Sequence, residues 1–153
     1  MGILKDKMLE PAKRPEIIKD CSRLVDSEVA AKRGVVGLMV KGGYKAFKAI
    51  KSGIVESAVD HLLDDFTVVL DKHYDKYLED EPSKVTSFER WSKKRDAVMA
   101  DDLLSVTDNM MERSKKKALK KIYHGLRKVA QRNVAEAIPG VGRLVMKRMD
   151  QVT

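Results

Sequence analysis

The chain has 153 residues, 43% of them apolar and 35% charged, a size and balance suited to one domain with a single core. Three Phe, four Tyr and one Trp leave that core mostly aliphatic, with Met as filler. Its formal charge is +8, and the lone cysteine, Cys21, excludes an internal disulfide or a cysteine-based zinc site and fits a reducing compartment.

The charge is sorted along the chain. From Ser114 to Thr153 eleven Lys and Arg stand against Glu136 and Asp150, whereas residues 1–113 carry a net charge of −1. Such sorting serves an anionic partner or an acidic surface of the same molecule.

At the amino terminus, Met1 to Asp6 has no signal-peptide core, and Asp6 stands where a myristoylation signal wants Ser or Thr. The longest apolar run, Gly34 to Val40, is too short to span a bilayer, so the expected location is the cytoplasm. Pro15 suits the start of a helix whose stripe is Ile17, Ile18, Cys21, Leu24, Val25 and Val29, and Gly34 ends it.

A second helix has Val36, Val40, Tyr44, Phe47 and Ile50 inward, with Lys41, Lys45 and Lys48 on the other side, and stops near Ser52-Gly53. Its interior Gly37, Gly42 and Gly43 each cost about 1 kcal/mol relative to Ala, which close helix packing or a mobile kink would offset. A third helix, Ile54 to about Leu78, turns Ile54, Ala58, Leu62, Phe66, Val69, Leu70, His73 and Tyr77 inward and Asp60, Asp64, Asp71 and Asp75 outward. With nine acids and two lysines between residues 54 and 81, it is the internal candidate to answer the basic tail.

Glu81-Pro82 stops that helix, and Thr86 with Glu89 reads as a capping box for a short helix holding Phe88 and Trp91. Asp96 caps the next, with Met99, Leu103, Val106 and Met110 inward, and Ser114 caps a last long one. On that helix Leu119, Ile122, Tyr123, Leu126, Ala130, Val134 and Ala137 form the inner stripe. Pro139-Gly140-Val141-Gly142 reads as a tight turn into a final short helix, Arg143 to about Gln151. No stretch alternates with period two, so the fold class is all-α: residues 1–153 form a single-domain bundle of five to seven helices.

At 100° per residue, Lys117, Lys120, Lys121, Arg127, Lys128 and Arg132 fall within an arc of about 140° opposite the inner stripe. This basic ridge can run beside phosphates; a plain solvated helix face is the competing account. Ile138-Pro139-Gly140-Val141-Gly142 looks like the turn of a helix-hairpin-helix DNA-binding motif, where glycine N–H groups and a helix dipole hold a phosphate oxygen. Arg143 and Lys147 follow as that role requires, although Met146 stands where the motif has a small residue. An ordinary helix-ending turn explains the same residues. The second helix, with Lys41, Lys45, Lys48 and Lys51, also admits peripheral contact with an anionic membrane, ranked behind a core helix with a lysine-rich solvent face.

His61 with Asp64 or Asp65, and His73 near Asp75, do not complete a metal shell, and no phosphate-binding Gly-rich loop is present. No nucleophile and base stand at a catalytic spacing, so neither an enzyme nor a cofactor is expected. Trp91 with Phe88 reads as an anchor for its short helix, and Cys21 as an inert packing residue.

Several stretches together resemble a family of small, uncharacterised helical proteins found mainly in actinobacteria. They are Leu4–Leu9 leading to Pro11–Pro15, Tyr44–Lys51, Ala58–Leu63, Ala100–Asp108 and Val134–Pro139. The resemblance implies a stand-alone cytoplasmic domain and brings no activity, ligand or site residue with it.

The leading functional expectation is a non-enzymatic binding protein for a polyanion, nucleic acid foremost. Lys117, Lys120, Lys121, Arg127, Lys128 and Arg132 would supply charge, and Gly140, Gly142, Arg143 and Lys147 would hold a phosphate. The rival is a structural or self-associating protein-interaction module, in which the acidic third helix of one molecule receives the basic ridge of another or of itself. Peripheral binding to an anionic membrane surface stands third.

Overall fold

Short amphipathic runs separated by Gly, Pro and capping residues fold here into helices only, because each run buries its stripe against its neighbours. A computed structural model describes residues 2–150 as seven α-helices: α1 (Ile3–Met8), α2 (Arg14–Ala31), α3 (Gly34–Lys48), α4 (Ile54–Asp80), α5 (Phe88–Lys93), α6 (Asp96–Arg113) and α7 (Lys117–Asp150). The all-α bundle read from the sequence is thus the observed fold. Gly34, the first residue of α3, and Gly53, the N-cap of α4, each take the left-handed conformation at φ +73°, which a residue with a side chain adopts only at a cost.

α1 was not anticipated, although Leu4 and Met8, one turn apart, are both fully buried. They join Ile17 of α2, Leu70 of α4, Met99 of α6 and Ile138 and Val145 of α7 in one core. Around it Tyr74, Tyr77, Phe88 and Trp91 form an aromatic cluster with neighbouring centroids 5.2–5.8 Å apart. Trp91 anchors α5 as expected: it stacks on Phe88 and donates from Nε1 to Asp80 Oδ2 at 3.1 Å.

Several local readings change. Asp96 is the first residue of α6, behind its N-cap Arg95, instead of the cap. Ser87, not Thr86, is the N-cap of α5, accepting from Arg90 N at 3.2 Å, while the Thr86 carbonyl receives the Tyr77 hydroxyl. Ser114 ends α6 and accepts from Lys116 N ahead of α7, instead of capping α7 directly. The largest change lies at Pro139-Gly140-Val141-Gly142, which makes no turn: α7 runs through it without a break.

The glycines there serve close approach. A Cβ on Gly140 would stand 2.6 Å from Leu24 Cδ1, and one on Gly142 would stand 2.9 Å from Glu89 Cα. Glycine thus lets α7 sit against α2 and α5, and that packing offsets the hydrogen bond that Pro139 removes. Gln151, where the sequence places the end of the last helix, lies outside the described residues.

Candidate polyanion-binding surface

The two halves of α7 have different surroundings. Residues 138–148 supply its buried positions, Ile138, Gly140, Gly142, Val145 and Arg148, whereas no residue from 117 to 137 is buried. The inner stripe expected from Leu119 to Ala137 is therefore only half-covered, by α6 on one flank and α3 on another. Opposite those flanks Lys117, Lys121, His124, Gly125, Lys128 and Arg132 are exposed, and Lys120 is half-buried at their margin.

The α7 rise of 1.5 Å per residue spreads Lys117 to Arg132 over about 22 Å. Among the described residues no carboxylate pairs with Lys115, Lys116, Lys117, Lys120, Lys121 or Lys128. Arg132 reaches only Glu136 of its own helix, at 3.3 Å, and its side chain stays 84% exposed.

The other expected site residues lie elsewhere. Arg127 turns toward α6, where its Nε donates to Asp108 Oδ1 at 2.9 Å and its Nη2 to Oδ2 at 3.2 Å. The Asp108 carboxyl, held by Arg127 and then by the Tyr123 hydroxyl, sits below its ordinary pKa. Arg143 donates to Glu89 of α5 at 3.0 Å and Lys147 to Asp20 of α2 at 3.1 Å.

Gly140 and Gly142 are buried in the middle of a helix, so they form no exposed nest of N–H groups for a phosphate. The hairpin-type site is therefore corrected: its glycines and cations join α7 to α2 and α5. A shallow cavity of about 240 Å3 at this junction is lined by Arg23, Leu24, Gly140 and Arg143, among others.

The buried Arg148 closes the junction. Its Nη2 donates to Glu16 Oε1 at 3.3 Å and to Asp20. Burial alone would raise the Asp20 carboxyl, but Arg148 and Lys147 hold it below its ordinary pKa. Cys21 is half-buried beside this group, and burial followed by the Asp20 charge pushes its thiol up to about 11, which keeps it from acting as a thiolate.

Nor does the acidic α4 answer the ridge. Asp60 and Asp64 bind Arg14 at 2.8 and 3.1 Å, Asp71 accepts from Lys5 N, and Asp80 binds Lys76 and Trp91. No ion pair joins α4 to α7 among the described residues. His73 is buried and bonded to Asp102 of α6 at 2.7 Å, not to Asp75.

One surface escaped the sequence reading. The solvent side of α3 carries apolar side chains beside the expected lysines: Val35 is 81% exposed and Leu38 73%, with Met39 and Val36, the latter expected inward, also exposed. Lys41, Lys45 and Lys48 are exposed as well, but at 100° per residue they lie along one edge of this strip. One signal pointed here: no Asp or Glu occurs from Lys32 to Val55, while six Lys and Arg do.

A family model matches residues 4–149, nearly the whole of this two-sided arrangement. The chain belongs to the family of unknown function DUF6918. No curated protein and no solved structure matches this DUF6918 member. No described helix is long and apolar enough to cross a membrane.

Proposed function

We propose that this protein is a non-enzymatic cytoplasmic protein that binds an extended polyanion along the exposed side of α7. Lys117, Lys121, Lys128 and Arg132 form the contact line, with Lys115, Lys116 and Lys120 at its amino-terminal end. One observation carries the reading: of the eleven Lys and Arg after Ser114, six have no carboxylate partner among the described residues, and all six fall between residues 115 and 128. Lys117, Lys121 and Lys128 stand exposed on one face of α7 with no carboxylate partner among the described residues, so their charge is available to phosphates.

A nucleic-acid backbone and a layer of anionic headgroups offer these lysines the same chemistry. Heparin, a soluble polyanion, tests the shared part. The triple variant Lys117→Glu, Lys121→Glu, Lys128→Glu should elute from heparin at much lower salt than the parent with unchanged far-ultraviolet circular dichroism. Equal retention would refute the reading. A parent mass that falls with salt in light scattering, with no heparin retention, would support self-association through α4 instead.

A further inference from the structure

We infer that the polyanion is an anionic phospholipid surface, and that the exposed apolar face of α3 enters it beside the α7 ridge. The inference rests on the ridge reading and adds a second helix to it. α3 runs antiparallel to α7: Lys32, just before α3, reaches Asn133 O and Glu136, whereas a Cβ on Gly43 would meet Leu126. On each helix the exposed face lies roughly a quarter to a third of a turn from that contact, in the same rotational sense. Two antiparallel helices so offset open their exposed faces to one side.

The resulting surface has three bands. The α7 cations run along one border, Val35, Leu38 and Met39 form the middle, and Lys41, Lys45 and Lys48 run along the far border. An apolar strip bordered by lysines matches a headgroup layer, where lysine stems lie along the acyl boundary and their charges meet phosphates. Glu136, the acid on this side, is already held by Lys32 at 2.8 Å and by Arg132 at 3.3 Å.

Charge selects among the possible occupants. A nucleic-acid backbone would neutralise the lysines and leave Val35 and Leu38 without an apolar partner. A second copy laid α3 against α3 would bring another acid-free run of cations onto the first. A bilayer rich in anionic lipid satisfies both the cations and the apolar strip.

The test is co-sedimentation of the full chain with vesicles of phosphatidylglycerol and phosphatidylcholine, or of phosphatidylcholine alone, with heparin and duplex DNA retention measured in parallel. The parent should bind the anionic vesicles only. The double variant Val35→Ser, Leu38→Ser should lose vesicle partitioning by about tenfold or more while keeping heparin retention. Lys117→Glu, Lys121→Glu, Lys128→Glu should lose both.

Undiminished vesicle binding by the serine variant would overturn the α3 role and leave the ridge reading standing. DNA retention without vesicle binding would overturn the lipid assignment, as would a parent dimer that the serine changes dissociate. If the ridge reading itself fails, heparin retention survives the glutamate changes, a result that involves no residue of α3.

Discussion

Gly142 of α7 and Glu89 of α5 meet backbone to backbone: a Cβ on the glycine would stand 2.9 Å from the Glu89 Cα and 3.0 Å from Ser92 Oγ. A backbone cannot swing aside as a side-chain tip can, so Gly142→Ala should destabilise the fold by about 1–3 kcal/mol. Gly125 lies in the same helix with nothing within 4 Å of its would-be Cβ. Gly125→Ala should therefore stabilise by up to about 1 kcal/mol. Urea unfolding of the two variants checks both signs, and Gly125→Ala should keep its heparin retention because the ridge lysines are untouched.

The same glycine marks where sequence reasoning stopped. Helical periodicity located α2, α3, α4, α6 and α7 because their apolar residues recur every three or four positions, and the lack of period-two alternation spoke against strands. Pro139-Gly140-Val141-Gly142 misled because glycine serves a turn and a close helix contact equally well, and the choice was made by Leu24 and Glu89, distant in sequence. α1 escaped notice because its stripe is only Leu4 and Met8. The exposed cations of α7 were legible from their angular spacing. The α3 face was not, because Gly34 to Val40 is apolar all round and periodicity cannot say which side such a segment buries.

Arg148 is the second pin of the α7 carboxy-terminal half. Its side chain is 2% exposed and its partner Asp20 13%. Arg148→Met keeps much of the volume but leaves Asp20 with Lys147 as its remaining cation, and should destabilise by about 2–3 kcal/mol. Lys147→Met should cost about 1 kcal/mol or less, since the Lys147 side chain is 53% exposed. Chemical unfolding of the pair reads the difference.

Stability should fall at both ends of the pH scale for opposite reasons. Asp20, Asp108 and Glu136 are held below their ordinary pKa values in the fold. Their contribution is complete above the unfolded carboxylate values of about 3.9–4.3 and is lost as pH falls through the folded ones. The urea midpoint should therefore be flat from about pH 7 to 5 and drop below about pH 4. Cys21 behaves in the opposite sense, because burial raises its thiol from 9.0 to about 11. Its contribution is complete below 9.0 and fades as pH rises toward about 11. Cys21→Ala should flatten that alkaline limb, and the parent thiol should react slowly with a disulfide reagent at pH 8.

Lys128 and Arg127 are neighbours in sequence with separable roles. Lys128 is exposed and has no carboxylate partner among the described residues, whereas Arg127 is joined to Asp108 at 2.9 Å with both side chains a little over one-third exposed. Lys128→Gln should leave the urea midpoint unchanged and weaken binding to anionic vesicles by about 1 kcal/mol, roughly fivefold. On duplex DNA the same change would flatten the salt dependence by about 0.9 in log–log slope, were DNA the ligand. Arg127→Gln should do the reverse: it leaves Asp108 without its cation, lowers stability by about 1 kcal/mol or less, and changes vesicle binding little. Equal binding losses in the two variants would mean that net charge alone, and not the exposed side of α7, attracts the polyanion. Unequal losses would tie recognition to that one helix face.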